Sequence, residues 1–246
     1  GYNSTPAPIN KAKKLQLRKG FTTLQPCMEV FLSLWQQFFK GLMATTAIEF
    51  IAVIAGIISV VFSRRESILV YPTGLLNTIL YIYLGIKGQL FGEASVNLYY
   101  TIMSIYGWWN WSRKDTLQHH IVHITPSTRG EIVQQWLFFA VVAAILWTLL
   151  YVIRKGFAPE AIPWADAIAS ASAFTGMWLM TRKKIESWWW WILTNILSIP
   201  LWFVKGYVFT SVQFMVLLVL AISGLVAWKR RYRQAQQPVS LSDLAT

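Results

Sequence analysis

The stretch Ser63-Arg64-Arg65-Glu66-Ser67-Ile68-Leu69-Val70-Tyr71-Pro72-Thr73-Gly74-Leu75-Leu76-Asn77 returns later as Thr181-Arg182-Lys183-Lys184-Ile185-Glu186-Ser187-Trp188-Trp189-Trp190-Trp191-Ile192-Leu193-Thr194-Asn195. In both copies a basic turn closes one apolar run and opens another. Arg64 answers Arg182 and Asn77 answers Asn195, 118 residues on, as Lys87 answers Lys205, Gly88 answers Gly206 and Phe91 answers Phe209. Looser matches at that spacing join Ser63 to Thr181, Ile79 to Leu197 and Tyr71 to Trp189. Beyond Phe91 the spacing is 116, with Ser95-Val96-Asn97 facing Ser211-Val212-Gln213 and Arg113-Lys114 facing Lys229-Arg230. A repeat of this length, found before any motif is considered, sets the architecture.

Charge placement shows what the repeated unit is made of. The chain is 55% hydrophobic and 13% charged, about half the charge of a soluble domain at roughly 25%. Between the basic clusters run apolar stretches of about 18–24 residues, enough to cross a hydrocarbon core of about 30 Å as helices. Seven spans are expected at about 44–62, 67–86, 88–112, 132–153, 163–181, 187–204 and 206–228. Helix is required because an open sheet leaves backbone groups unpaired in lipid, and the apolar/polar alternation of barrel strands is absent. The fold class is therefore an all-α membrane protein. Spans 1–3 and 5–7 form two three-helix repeats with span 4 between them. One intervening span makes the repeats parallel, a transporter arrangement that holds substrate at the repeat interface near midplane.

The domain reading is a basic segment at 1–25, an amphipathic interfacial helix at 26–43, a first repeat at 44–114 and a cytoplasmic loop at 115–131. A linker helix at 132–155, a second repeat at 163–231 and a polar tail at 232–246 complete it. Within 26–43, Val30, Phe31, Leu34, Trp35, Phe38 and Phe39 fall near helical spacing on one side, while Glu29, Gln36 and Gln37 argue against a span. No small-residue cleavage site follows a clean apolar run, so a cleavable signal peptide is not expected. With the N-terminus outside and the C-terminus in the cytoplasm, twelve basic residues fall in inner loops and four in outer ones, the positive-inside bias. The five basic residues before residue 26 run against that bias.

The net charge of +12 is spread over loops and not gathered on one face, which excludes a nucleic-acid reading. The single cysteine, Cys27, allows no internal disulfide. His119, His120 and His123 lie in the cytoplasmic loop and lack the further ligands a metal site needs, so neither metal nor cofactor is expected. No span contains a lysine for a retinal Schiff base, and no clustered nucleophiles or acids suggest an enzyme.

Polar groups in hydrocarbon face a bundle interior or a water-filled cavity. Asn77, Asn97, Asn195 and Gln213 are expected near midplane, as a substrate site or as interhelical bonds. Trp188, Trp191 and Asn195 share a helix face at i, i+3 and i+7, and Asn97 and Tyr100 share another. Rings and amides on such stripes suit a flat aromatic ligand bearing amide or hydroxyl groups. Trp189 and Trp190 are expected as interfacial anchors. Glu49, Asp166 and Glu93, near the outer span ends, are secondary candidates that bond neighbouring helix ends or attract a cation. Pro72 and Pro200 are candidate kinks.

These residues resemble the PnuC-type nicotinamide riboside transporters of bacteria. Ile105-Tyr106-Gly107-Trp108-Trp109-Asn110-Trp111-Ser112-Arg113 is similar to that family's third-helix end. Trp188…Trp191 with Asn195 is similar to its WxxW-xxx-N stretch, and Asn97…Tyr100 to its NxxY element. Glu49 with Ala55-Gly56, and Asp166 with Met180-Thr181-Arg182-Lys183, also resemble family segments. The resemblance covers about residues 44–231. It implies a SWEET-like fold in its full seven-helix form and a homotrimer in the bacterial inner membrane. It also implies uptake of nicotinamide riboside by facilitated diffusion, with cytosolic phosphorylation trapping the product. Relatives carry riboflavin or thiamine, and a sugar is a further alternative on the same fold. A seven-helix receptor is the competing class.

Overall fold

In the computed structural model the described residues are helical apart from their connections. The structure describes residues 11–87, 91–116, 121–153, 156 and 162–237, with backbone alone for 11–27 and 91–93. Eight helices are described: α1 Lys11–Ala44, α2 Ala47–Arg64, α3 Val70–Lys87, α4 Phe91–Ser112, α5 Arg129–Ile153, α6 Pro163–Thr181, α7 Ser187–Val204 and α8 Val208–Ala235. By length and composition α2, α5 and α8 are apolar enough to cross a membrane.

α1 forms a unit of its own. α1 spans 34 residues, so the basic stretch from Lys11 belongs to the same helix as residues 26–43. Charge changes along this helix without ending it. Phe31 stacks on Trp35 at 6.2 Å, and Trp35 meets Phe39 edge-on at 4.9 Å.

From Thr45 onward the helices pack in a ring. α2 touches α3, α3 touches α4, α4 touches α6, α6 touches α7, α7 touches α8 and α8 returns to α2. Each contact has a counterpart three ring positions on. α5 packs on α6 from outside the ring. It buries Gln135 and leaves Val133, Leu137, Val141, Ile145, Leu149 and Val152 exposed, as a lipid-facing helix does. α6 is the small-residue helix, burying Ala167, Ala169, Ala171, Ser172, Ala173, Thr175 and Gly176. Such a surface lets neighbouring backbones approach closely where no hydrophobic effect drives association.

The two basic turns quoted first stop their helices in the same way. Glu66 and Lys183 have φ of 58° and 53° and are the non-glycine residues in the left-handed region among those described. Ser67 N–H donates to Phe62 and Val70 N–H to Ser67; Lys184 N–H donates to Leu179 and Ser187 N–H to Lys184. This is the six-to-one closure that ends helices with a left-handed residue. Every partner in one turn lies 117 residues from its equivalent in the other.

The same 117 spacing governs packing. The Tyr71 ring occupies the space a Cβ on Gly107 would need, and the Trp188 ring does so at Gly224. Tyr71 meets Trp111 edge-on at 5.2 Å and 87°; Trp188 meets Trp228 edge-on at 5.5 Å and 87°. The contact register is therefore one residue off the 118 suggested by identities. One residue turns a helix by about 100°, so Asn77 and Asn195 are not contact equivalents. At 117, Asn77 answers Thr194 and Thr78 answers Asn195. Pro72 sits in the first turn of α3, where proline is tolerated without a kink, while Pro200 lies inside α7.

Candidate functional site

The four consecutive tryptophans of α7 go to four different surroundings, as a rotation of about 100° per residue requires. Trp188 is 1% exposed and belongs to the core with Tyr71, Trp111, Leu225 and Trp228. Its ring fills the notch at Gly224 on α8. It therefore packs between helices and does not share an open face with Trp191. Trp189 is exposed, and the Lys229 Nζ lies 5.2 Å from its ring centroid. Trp190 is buried and donates through Nε1 to Gln135 Oε1 at 3.2 Å. It packs on Trp136 and Phe139, each centroid 5.0 Å away. The sequence reading made Trp190 an anchor; α5 covers it instead.

Trp191 lies against α6 and meets a ring from α4. A Cβ on Gly176 would lie 3.3 Å from its Cε2 and Nε1, so the indole lies against the α6 backbone. Its centroid is 6.2 Å from Tyr100. Tyr100 lies 5.9 Å from Phe174, and Tyr99 stacks on Phe174 at 4.1 Å while donating its hydroxyl to the Phe174 carbonyl at 3.0 Å. α4, α6 and α7 thus contribute to one aromatic wall. Phe174 and Tyr99 escaped the sequence reading because neither has a motif partner. The signal available was the i, i+1 pairing of Tyr99 with Tyr100.

The matching contact in the first three helices is made of small residues. Ser59 and Gly74 lie 117 before Gly176 and Trp191. A Cβ on Gly74 would lie 3.3 Å from Ser59 Oγ and 3.8 Å from Ser104 Oγ. One half of the ring presents an indole where the other presents glycine and two hydroxyls. An aromatic cluster drawn from α4, α6 and α7 suits a ligand with a flat ring.

The amides divide. Asn77 Nδ2 donates to the Ala52 carbonyl at 2.7 Å, tying α3 to α2, with its side chain against Gly56. Asn195 is buried on α7, and Gln213 and Asn97 are half-buried on α8 and α4. The Asn97 carbonyl accepts from Thr101 Oγ1 at 2.9 Å. Asp166 accepts from Ile162 N–H at 2.6 Å and pairs with Lys205 at 2.7 Å, which makes it a brace between the ends of α6 and α7. Glu49 lies in the first turn of α2, its N–H donated to the Thr46 hydroxyl. The side chain of Glu93, together with His119 and His120, lies outside the described residues. His123 is exposed, and among the described residues no group of three or more His, Cys, Asp or Glu side chains is placed to hold a metal.

Comparison with known proteins specifies this helical ring further. A family model described as nicotinamide mononucleotide transporter matches residues 46–230. The nicotinamide riboside transporter PnuC of Escherichia coli (strain K12) is 25% identical over 208 residues, covering 76% of this chain and 87% of that protein. PnuC of Neisseria mucosa is 26% identical over 214 residues, covering 81% of each chain. The riboflavin/roseoflavin transporter RibM of Streptomyces davaonensis is 25% identical over 190 residues, covering 76% of this chain and 86% of that one. A crystal structure titled the vitamin B3 transporter PnuC superposes with a TM-score of 0.60 at 22% identity, covering 85% of this chain and 92% of that one. That likeness establishes the fold. The class is a multi-pass membrane transporter and not an enzyme. The chain belongs to the nicotinamide mononucleotide transporter family, to which the resemblance in its motifs also pointed.

Proposed function

We propose that this protein imports nicotinamide riboside. The observation that carries this reading is the aromatic cluster of Trp191, Tyr100 and Phe174 drawn from α7, α4 and α6, while Gly74, Ser59 and Ser104 form the polar contact equivalent to Trp191 on Gly176. A nicotinamide ring stacks on the aromatic side, and ribose hydroxyls bond to the polar side. Asn195, Asn97 and Gln213 are the amides we assign to the substrate. Asn77 and Trp188 we assign to helix packing. Asp166 serves its helix ends, and Glu49 and Glu93 remain secondary candidates.

The seven-span reading, α2–α4 and α6–α8 as parallel three-helix repeats with α5 as linker, is part of the same proposal. It is supported by the ring order and the recurrence of contacts at 117. Transport then proceeds by rocking of the two units around a fixed site. The seven spans read from the sequence hold no lysine or arginine, and their acids sit near the ends. Among the described residues no buried acid–base relay of the kind proton coupling uses lies within these spans, and uniport is the mechanism we propose. An inner-membrane location with the C-terminus in the cytoplasm, and a homotrimeric assembly, complete the proposal.

The test is uptake of nicotinamide riboside into empty proteoliposomes without an ion gradient. Uptake that saturates and stops at equal concentrations inside and out is expected. A strict requirement for a proton or sodium gradient overturns uniport. The presence of RibM among the relatives favours riboflavin as the second substrate reading. Stronger competition by riboflavin than by unlabelled nicotinamide riboside would select it.

A further inference from the structure

We propose that Glu66 and Lys183 form a gate between the two three-helix units, one that must part in every transport cycle. The inference rests on the transport reading above and adds to it the residues that close one end.

The two side chains form an ion pair of 2.7 Å, with Lys183 6% and Glu66 26% exposed. They occupy the same place in the two helix-stopping turns, 117 residues apart. Where two equivalent turns meet, each residue faces its own counterpart. Identical charged residues there would repel; here the counterparts carry opposite charge and attract. The backbone adds a second, independent observation. Both positions are left-handed, where glycine is unstrained and any side chain is disfavoured. The sequence keeps side chains there although a glycine would end the helix better. The turn alone does not explain them; the pair across the units does.

The contacts around the pair cross between units in both directions. Trp228 Nε1 donates to the Ser63 carbonyl at 3.0 Å, and Trp111 Nε1 donates to the Thr181 carbonyl at 3.2 Å. Arg231 lies 3.5 Å from the second Glu66 oxygen, and the Lys183 Nζ lies 4.7 Å from the Trp111 ring centroid. The third helix of each unit is thereby tied to the first helix of the other. At the far end the ion pair Asp166–Lys205 stays inside the second unit. One end of the ring is closed across units by polar contacts, therefore, and these can be exchanged for water when the units rock.

The test joins the two turns reversibly. In a Cys27→Ser background, Glu66→Cys and Lys183→Cys are bridged with a short bis-methanethiosulfonate linker, and uptake of nicotinamide riboside into proteoliposomes is measured before bridging, after it and after reduction. Bridging is expected to arrest uptake while detergent-solubilised protein still binds nicotinamide riboside, and reduction to restore the initial rate. Bridged protein that carries substrate at its unbridged rate overturns the gate. Failure of the unmutated protein to take up nicotinamide riboside at all refutes the transport reading instead. Should the dicysteine protein not fold, charge exchange decides. Glu66→Lys alone is expected to cause a clear loss of uptake, because two like charges then meet in the pair, with binding retained. Adding Lys183→Glu is expected to restore uptake. Equal uptake in all three proteins overturns the proposal.

Discussion

Helices α2–α4 and helices α6–α8 use the same contacts with different side chains. At the outer end of the comparison, Tyr71 over Gly107 and Trp188 over Gly224 do one job, filling a glycine notch with a ring whose edge meets a tryptophan. At the inner end, Ser59 with Gly74 and Gly176 with Trp191 exchange size, so that one unit leaves space and the other fills it. Ring-for-ring replacement preserves packing volume and therefore the scaffold. Small-for-large replacement does not, and the resulting asymmetry is the place we propose for the substrate. Two tryptophans three residues apart, Trp188 and Trp191, thus belong to different categories.

The largest effect that separates them is on stability. Trp188→Ala empties a core position and is expected to cost about 3–5 kcal/mol, seen as a large fall in the thermal midpoint of the purified protein. Trp188→Phe keeps a ring and deletes an N–H that has no partner, so its midpoint should stay near that of the parent. Nicotinamide riboside affinity in Trp188→Phe should be unchanged. A selective loss of affinity would move Trp188 back among the substrate contacts.

Trp191→Ala reverses the pattern. Its indole is half-buried beside Tyr100 and lies on Gly176. Loss of a base-stacking platform costs about 1–3 kcal/mol of binding, while the thermal midpoint moves little. Isothermal titration with nicotinamide riboside reads the first quantity and a melting curve the second. Unchanged affinity in a folded Trp191→Ala protein removes the stacking role.

The equivalence of the two glycine notches makes the next test. Gly107→Ala and Gly224→Ala each place a methyl group in a space occupied by a ring. Overpacking of this kind costs about 1–3 kcal/mol, and the two variants should lose similar amounts. A large inequality, measured by thermal unfolding, would mean that the notches are not counterparts.

Much of this was legible in the sequence. Runs of apolar residues between basic clusters placed α2 to α8 within a few residues, because hydrocarbon thickness fixes helix length and charge cannot enter. α8 extends further than its apolar run, through Lys229–Arg233 to Ala235, since a helix continues past the last apolar residue once its hydrogen bonds are set. The recurrence of residues was legible in the sequence, but the spacing of the recurring contacts was not. Identities such as Asn77 with Asn195 and Lys87 with Lys205 select 118, whereas the structural equivalents Tyr71 and Trp188, or Glu66 and Lys183, differ in identity. Only packing and backbone conformation reveal those pairs. The partners of Trp191 were half legible. Tyr100 carried a motif, but Phe174 and Gly176 lie in an Ala- and Ser-rich helix without local signature and enter the wall only through the contacts of α6 with α4 and α7.

The smallest expected effect concerns the amides, and it tests the register directly. Under identity matching, Asn77 and Asn195 are one position seen twice, and substituting either should give the same phenotype. Under the contact register they face different neighbours. Asn77 spends its amide on the Ala52 carbonyl at 2.7 Å, an interhelical bond worth about 0.6 kcal/mol in membrane proteins. Asn77→Leu should therefore lower the thermal midpoint slightly and leave nicotinamide riboside affinity alone. Asn195, 3% exposed and one turn beyond Trp191 on α7, is assigned to substrate, so Asn195→Leu should weaken binding with expression nearly intact. Equal losses of affinity in the two variants would restore the 118 register and place both amides in the site. Loss of folding in Asn195→Leu would make it a packing amide like Asn77.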